Sequence, residues 1–326
     1  MRAWQVGRLG EPADVLSLVD VPEPQPGPGQ LAVRVRASAL NFPDVLLCRG
    51  HYQVRPPLPF TPGLEVCGEV VAVGPGVDRR LGERIIGTPA MPHGGLAEVA
   101  ILDAVDAFDA PESLSDAEAA ALHIAYQTGF VALHRRGQLK AGETLLIHAA
   151  AGGVGSAAVQ LGKAAGARVI AVVGGPAKAE VARKLGADLV IDRREQDFVA
   201  AVKEATGGRG ADVVYDPVGG DAYAGSAHCV AFEGRILVIG FAGGAIQAPP
   251  LNHALLKNYS IVGVHWGLYR QVDPAVLCES HRALTGLAAS GAVRPLVSEV
   301  LPLDGVVEAL TRLGAGDTVG RVVITP

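Results

Sequence analysis

The chain has 326 residues, 49% of them hydrophobic and 19% charged, with a formal net charge of −5 at pH 7. That balance excludes a disordered chain and leaves room for two domains and a large core. The acidic balance, with arginine pairs isolated at Arg79-Arg80, Arg135-Arg136 and Arg193-Arg194, leaves no basic footprint for nucleic acid.

In chain order, the first part reads as β-rich. Pro22 to Gly29 is a proline-rich rigid loop. Leu31 to Ala37 then alternates apolar and charged residues, as a half-buried strand should. Glu65 to Gly74 predicts a second strand, closed by the Gly-Pro-Gly turn at 74–76. At Ser115-Asp116-Ala117-Glu118 the pattern changes to a capping box that opens an alanine-rich helix.

Leu145 to Leu161 is the most informative stretch. It predicts a buried strand, a tight turn without bulky side chains, and a helix that starts at Gly155. Positions 150, 152 and 155 match G-x-G-x-x-G with alanine in the first place. Gly152 would let the backbone approach a pyrophosphate, Gly155 would let the helix pack on the strand, and the helix N-terminus would face the phosphates. Ala167 to Val173 is the next strand, completing a βαβ unit. NAD sites usually place an acid at the end of this strand for the ribose 2′-hydroxyl, but Gly174 stands here. Lys178 and Arg193 follow as candidate contacts to a 2′-phosphate, so the cofactor expected is NADPH.

Alternation then continues: helix 178–185, strand 188–191, helix 196–206, strand 211–216, helix 221–231, strand 235–240 and a sixth strand at 260–264. This predicts an α/β fold with a doubly wound, parallel, six-stranded Rossmann sheet. A helix near 274–289 leads to two short strands, 298–301 and 320–324, which should rejoin the β-rich part. The expected domains are 1–118, 119–288 and a return over 289–326. Cys48, Cys67, Cys229 and Cys278 show neither C-x-x-C spacing nor a disulfide framework, so a reducing cytoplasmic setting is expected. Met1 to Val6 carries no apolar h-region, and the apolar stretch at 144–161 is split by His148, glycines and Gln160. Neither a signal peptide nor a membrane span is expected.

Asn41-Phe42-Pro43-Asp44, Pro62-Gly63-Leu64-Glu65, Ala149 to Gly155, Lys184-Leu185-Gly186-Ala187-Asp188, Tyr215 to Gly220 and Gly320-Arg321-Val322-Val323 run the length of the chain. Together they resemble the zinc-free quinone oxidoreductase (zeta-crystallin-like) branch of the medium-chain dehydrogenase/reductases. The resemblance implies that the β-rich part is a GroES-like catalytic domain. Where zinc relatives carry Cys, His and Cys, this chain carries Asn41, Leu64 and His123. Leucine cannot ligate and an amide is a poor ligand, and 85–100 contains no cysteine for a structural zinc lobe, so no metal site is expected. Glu65 reads as structural, and His93, His123 and His148 as dispersed core or surface histidines.

The resemblance further implies that Asn41 to Tyr52 lines the nicotinamide and substrate side. Asn41 would position nicotinamide or substrate. Tyr52 would contact the cofactor or donate a hydrogen bond, or else be a loop aromatic. Ala151, Gly152, Gly153, Val154, Gly174, Lys178 and Arg193 are the expected contacts to phosphates and ribose. Thr128, Gly240, Phe241, Val264, His265, Trp266 and Arg321 complete the cofactor set, with His265 and Trp266 open to a packing role instead. Relatives often carry Tyr or His where Arg193 stands. Asp192 could neutralise Arg193, and Arg194 competes for the same contact. NADPH-dependent reduction of quinones is the activity implied. The alternatives are reduction of α,β-unsaturated carbonyls or enoyl thioesters, and a non-catalytic NADPH-binding, crystallin-like protein. A homodimer through the edge strand of the parallel sheet is expected, with no membrane partner.

Overall fold

In the computed structural model, which describes residues 1–326, strand Gln30–Ala39 buries Leu31, Val33 and Val35 and exposes Arg34 and Arg36. It pairs antiparallel with Val66–Val73 on one side and with Val99–Asp109 on the other. Arg84–Pro89 lies between those two partners, so the four strands close on themselves and leave no free edge among them. Leu31, Val33, Val66, Val70, Ile85 and Leu102 fill the interior. Each such side chain contributes roughly 1.5–3 kcal/mol by leaving water. The final strands, Val297–Pro302 and Arg321–Thr325, extend this sheet through Val323 against Ala39, as the expected return requires.

This β unit comprises Met1–Ile124 and Arg294–Pro326; the second unit is Ala125–Val293. The divisions fall a few residues beyond the expected 118 and 288. Helix Asp116–Ala120 goes with the β unit, where Glu118 pairs with Arg294. Its capping box is present: the Ser115 hydroxyl accepts the Glu118 N–H at 3.3 Å, and the Glu118 carboxylate accepts the Ser115 N–H at 3.0 Å.

The second unit is built on a parallel sheet of six strands. Across it they run Ser260–Gly263, Val230–Val238, Ala211–Asp216, Thr144–Ile147, Arg168–Val173 and Leu189–Asp192. The order reverses on either side of Thr144–Ile147, the arrangement of a doubly wound dinucleotide fold. Leu145, Leu146 and Ile147 are all fully buried, because helices cover both faces of this strand. No helix is long and apolar enough to cross a membrane.

Two expected boundaries shift. The helix after the glycine-rich turn begins at Gly153 with Gly152 as its N-cap, not at Gly155, so Gly155 lies inside its first turn. The helix expected over 221–231 ends at Cys229, because Val230 turns extended (φ −72°, ψ 142°) and pairs with Ala211. A bulge with Glu233 at φ 56° then carries the strand into its main register, Val213 opposite Arg235.

Tyr215 lies in a central strand, fully buried, and its hydroxyl has no hydrogen-bond partner. A buried hydroxyl left unpaired costs about 1–3 kcal/mol. Tyr215→Phe should therefore hold or raise stability. Urea unfolding showing a loss above about 1 kcal/mol would mean that the hydroxyl has a partner after all.

Candidate functional site

The chain leaves strand Thr144–Ile147 through His148, whose N–H bonds to the Tyr215 carbonyl at 3.1 Å, and turns at Ala149, which takes φ 49°. The Ala149 carbonyl then accepts the Gly152 N–H at 2.9 Å. A Cβ on Gly155 would sit 2.1 Å from that same carbonyl oxygen, so only glycine lets helix Gly153–Ala164 approach the turn. A Cβ on Gly152 would stand 3.3 Å from the same carbonyl oxygen, a tight contact, so glycine suits this position too. No side chain caps this helix. The first N–H groups of the helix, at Gly153 and Val154, have no carbonyl within it to bond, and such an uncapped N-terminus is suited to a phosphate.

At the end of the next strand, Gly174 leads to Gly175 at φ 100°. The Asp192 carboxylate accepts the Gly175 N–H at 2.9 Å and the Arg194 N–H at 3.0 Å. These bonds hold its carboxyl below the usual range and keep it ionised. Asp192 therefore braces the loop that carries the arginines. The Arg193 guanidinium lies over Gly174 and that of Arg194 over both glycines: a Cβ on Gly174 would stand 3.4 Å from Arg193 Nε and 3.5 Å from Arg194 Nε. One on Gly175 would stand 3.2 Å from Arg194 Nη1. Arg194, which the sequence left as a competitor of Arg193, thus shares its place. Lys178 sits half-buried in the first turn of helix Pro176–Lys184.

Gly240 and exposed Phe241 follow strand Val230–Val238 on the same, carboxyl-terminal edge of the sheet. Val264 joins them through its N–H to Val238 at 3.1 Å, with His265 exposed beyond it. Trp266 is buried and donates from Nε1 to Gln127 at 3.3 Å, next to half-buried Thr128. His148 is a core histidine: its Nε2 lies 2.8 Å from the Ser226 hydroxyl, its ring meets Phe198 edge-on, and burial pushes its pKa down to about 4.

The β unit holds a separate polar cluster around Glu65, which is completely buried. One carboxylate oxygen accepts the Ile124 N–H at 2.6 Å; the other accepts Asn41 Nδ2 at 3.0 Å and Arg321 Nη2. Arg321 Nη1 reaches back to Asn41 Oδ1 at 2.9 Å, and Arg321 Nε has no partner. Burial pushes the Glu65 carboxyl up, against Arg321 and then Asn41, which pull it down. Asp44 is also fully buried. It accepts the N–H groups of Asn41 (2.8 Å), Gly63 (3.0 Å) and Leu64 (3.1 Å), yet burial still raises it to about 6.

Asn41 and Arg321 thus come together, while Tyr52 packs on the apolar cluster of Val45, Leu47 and Phe60. Sequence reasoning passed over Glu65 and Asp44 as site residues. For Asp44 a signal existed, since an acid three residues after Asn41 is the spacing of a helix cap. At the three positions of the zinc ligands, Asn41 is committed to Glu65 and Arg321, Leu64 packs on apolar neighbours, and the His123 ring lies 5.4 Å from that of Phe108. No three His, Cys, Asp or Glu side chains converge as a metal-holding group.

Residues 153–278 match the family described as zinc-binding dehydrogenase, and residues 27–112 the alcohol dehydrogenase GroES-like domain. Quinone oxidoreductase-like protein 2 of Mus musculus is 36% identical over 99% of this chain and 93% of its own. The structure of Escherichia coli quinone oxidoreductase complexed with NADPH superposes with a TM-score of 0.92, at 32% identity and full coverage of both chains. Phthioceranic/hydroxyphthioceranic acid synthase of Mycobacterium tuberculosis is 35% identical over 92% of this chain, which matches 14% of that synthase. Fold and comparisons define a medium-chain dehydrogenase/reductase. Within that superfamily the chain belongs to the quinone oxidoreductase family.

Removing one partner of the buried pair should be costly. Arg321→Met, which leaves Glu65 charged and unpaired, is expected to lose about 3–5 kcal/mol in urea unfolding. Adding Glu65→Gln should return at least about 1 kcal/mol of it. Equal stability of Arg321→Met and wild type would show that the pair carries nothing.

Proposed function

We propose that this protein is an NADPH-dependent reductase of quinones that works without a metal. The observation that carries the cofactor choice is the pair of guanidiniums at Gly174 and Gly175, with the Asp192 carboxylate beneath them turned to backbone N–H groups. A 2′-phosphate would find two forked donors there and no facing carboxylate. Ala151, Gly152, Gly153 and Val154 would hold the pyrophosphate on the helix N-terminus. Lys178 stands on the next helix, toward the 2′-phosphate. Gly240, Phe241, Val264, His265, Trp266 and Thr128 are proposed to line the rest of the cofactor, and Asn41, Tyr52 and Arg321 the reacting end. NADPH supplies a hydride which, with one proton from solvent, converts a quinone to its hydroquinone. The quinone suits a site with Asn41, Leu64 and His123 in place of zinc ligands, because its reduced anion is delocalised and needs no Lewis acid.

The second reading is reduction of an α,β-unsaturated carbonyl or an enoyl thioester, which the similarity to part of phthioceranic/hydroxyphthioceranic acid synthase favours. The chain's role would be the same up to the identity of the acceptor. NADPH oxidation with 1,4-benzoquinone, phenanthrenequinone and a panel of enones and enoyl thioesters separates the two. Turnover of none of them would leave a non-catalytic, NADPH-binding protein.

NADPH is expected to be preferred over NADH by at least about tenfold, the worth of one charge-assisted phosphate contact. Arg193→Ala/Arg194→Ala should erode that preference by raising the KM for NADPH alone. Equal use of both cofactors by the wild type would overturn the assignment. Activity should survive exhaustive chelation.

We also propose a homodimer. Ser260–Gly263 is an edge strand with one side unpaired, and exposed Ile261, Phe241, Ile246, Leu251 and Leu255 gather along it and the segment before it. Unpaired strand edges beside apolar surface call for a cover. Pairing the same edge of two copies about a two-fold axis would supply one. Ile261→Lys should shift sedimentation toward the 33.5 kDa chain. Wild type sedimenting only at that mass at micromolar concentration would exclude the dimer.

A further inference from the structure

Asn41 is the residue through which the proposed site would meet nicotinamide or substrate, and an amide there has two different ends. Its NH2 could donate to an oxygen that becomes negative during reduction. Its carbonyl oxygen could only accept. The surrounding atoms decide which end is available.

Nδ2 has two hydrogens, and both are used. One goes to the Ala39 carbonyl at 3.0 Å and the other to Glu65 Oε2 at 3.0 Å. Oδ1 accepts from Arg321 Nη1 at 2.9 Å. Turning the amide over would set NH2 against a guanidinium, which can only donate, and the oxygen against a carboxylate and a carbonyl, which can only accept. Three good bonds would become three repulsions, so the orientation is fixed by chemistry. Glu65 is held in turn by the Ile124 N–H, and Arg321 is 4% exposed, so neither partner can swing away cheaply.

We infer that Glu65 and Arg321 are positioning residues that lock the Asn41 side chain with both N–H groups committed inward, so that Asn41 can meet a ligand only as an acceptor. The group it meets must then be a donor, such as an amide N–H or a hydroxyl. Asn41 does not stabilise the oxyanion of the reduced acceptor. The ligand's identity rests on the function proposed above; the lock itself does not.

The chain has three asparagines, Asn41, Asn252 and Asn258, and the latter two are exposed. Asparagine-selective 15N labelling of the full-length protein therefore gives three side-chain NH2 pairs. One pair should exchange with D2O at least about tenfold more slowly than the other two. Its chemical shifts in the NADP+ complex should stay unchanged when 4-nitrophenolate, an oxyanion probe, is added. Glu65→Gln can still turn its amide oxygen toward Asn41 and Arg321, so the protection should largely persist, whereas Glu65→Ala removes the acceptor and the protection should collapse toward that of the exposed pairs. Arg321→Lys, which keeps the charge but not the fork, should retain part of it. Three pairs exchanging alike, protection unmoved by Glu65→Ala, or a shift on 4-nitrophenolate that shows Asn41 donating would each overturn the lock. If the enzyme fails to reduce any acceptor while the amide stays protected, the proposed activity falls and the lock stands.

Discussion

A carboxylate without access to water has to be answered from inside the protein, and Glu65 is answered from three distant parts of the chain. Ile124 offers a backbone N–H, Asn41 an amide and Arg321 a guanidinium. The effective penalty for an ion so buried is several kcal/mol, a large share of the stability of a typical fold. That requirement ties the end of the chain to its beginning. Arg321 stands at the head of strand Arg321–Thr325, which pairs with Gln30–Ala39 two residues before Asn41. The return of the last strands thus delivers the counter-charge of Glu65. Asp44 meets the same demand locally by accepting three N–H groups from Asn41, Gly63 and Leu64.

The second unit solves the opposite problem, keeping polar groups open for a ligand. Gly155 brings helix Gly153–Ala164 against the Ala149 carbonyl, and no side chain caps the helix, so its first N–H groups and its dipole stay available. At the neighbouring strand end, Asp192 faces its own loop's N–H groups, so its charge stiffens the turn beneath Arg193 and Arg194. An aspartate in that loop need not oppose a phosphate; what matters is which way it faces.

Much of this was legible in residue order. The six parallel strands were short runs rich in β-branched or aliphatic residues, several of them flanked by glycine, and all six lie where that pattern put them, to within a few residues. Boundaries failed where local propensity met tertiary pairing. Val230 and Ala231 looked helical until Ala211 claimed Val230 as a strand partner. The first turn of the glycine-rich helix was unreadable because glycines at 152, 153 and 155 offer no periodicity to mark a start. Arg193 was legible as a cation after the third strand, but the sharing of its place with Arg194 depends on the conformation of Gly175, which sequence does not carry. The role of Glu65 was hidden for a different reason. Its partners lie 24, 59 and 256 residues away, and no local pattern announces a contact at those separations.

The absence of a donor at Asn41 bears on which reactions such a site could serve. Hydride addition to an isolated ketone leaves a localised alkoxide, which requires a metal or a strong hydrogen-bond donor at the oxygen. Where zinc relatives carry ligands, this chain presents an amide with its N–H groups turned inward, an apolar side chain at Leu64, and an imidazole at His123 packed against Phe108. None of the three offers the reacting oxygen a Lewis acid. The burden then passes to the acceptor itself. A quinone spreads the new charge over a ring that becomes aromatic, and a conjugated enone spreads it over three atoms. The same locked amide that would hinder alcohol or ketone chemistry would cost these acceptors little, which is the physical ground on which the proposed site would favour them.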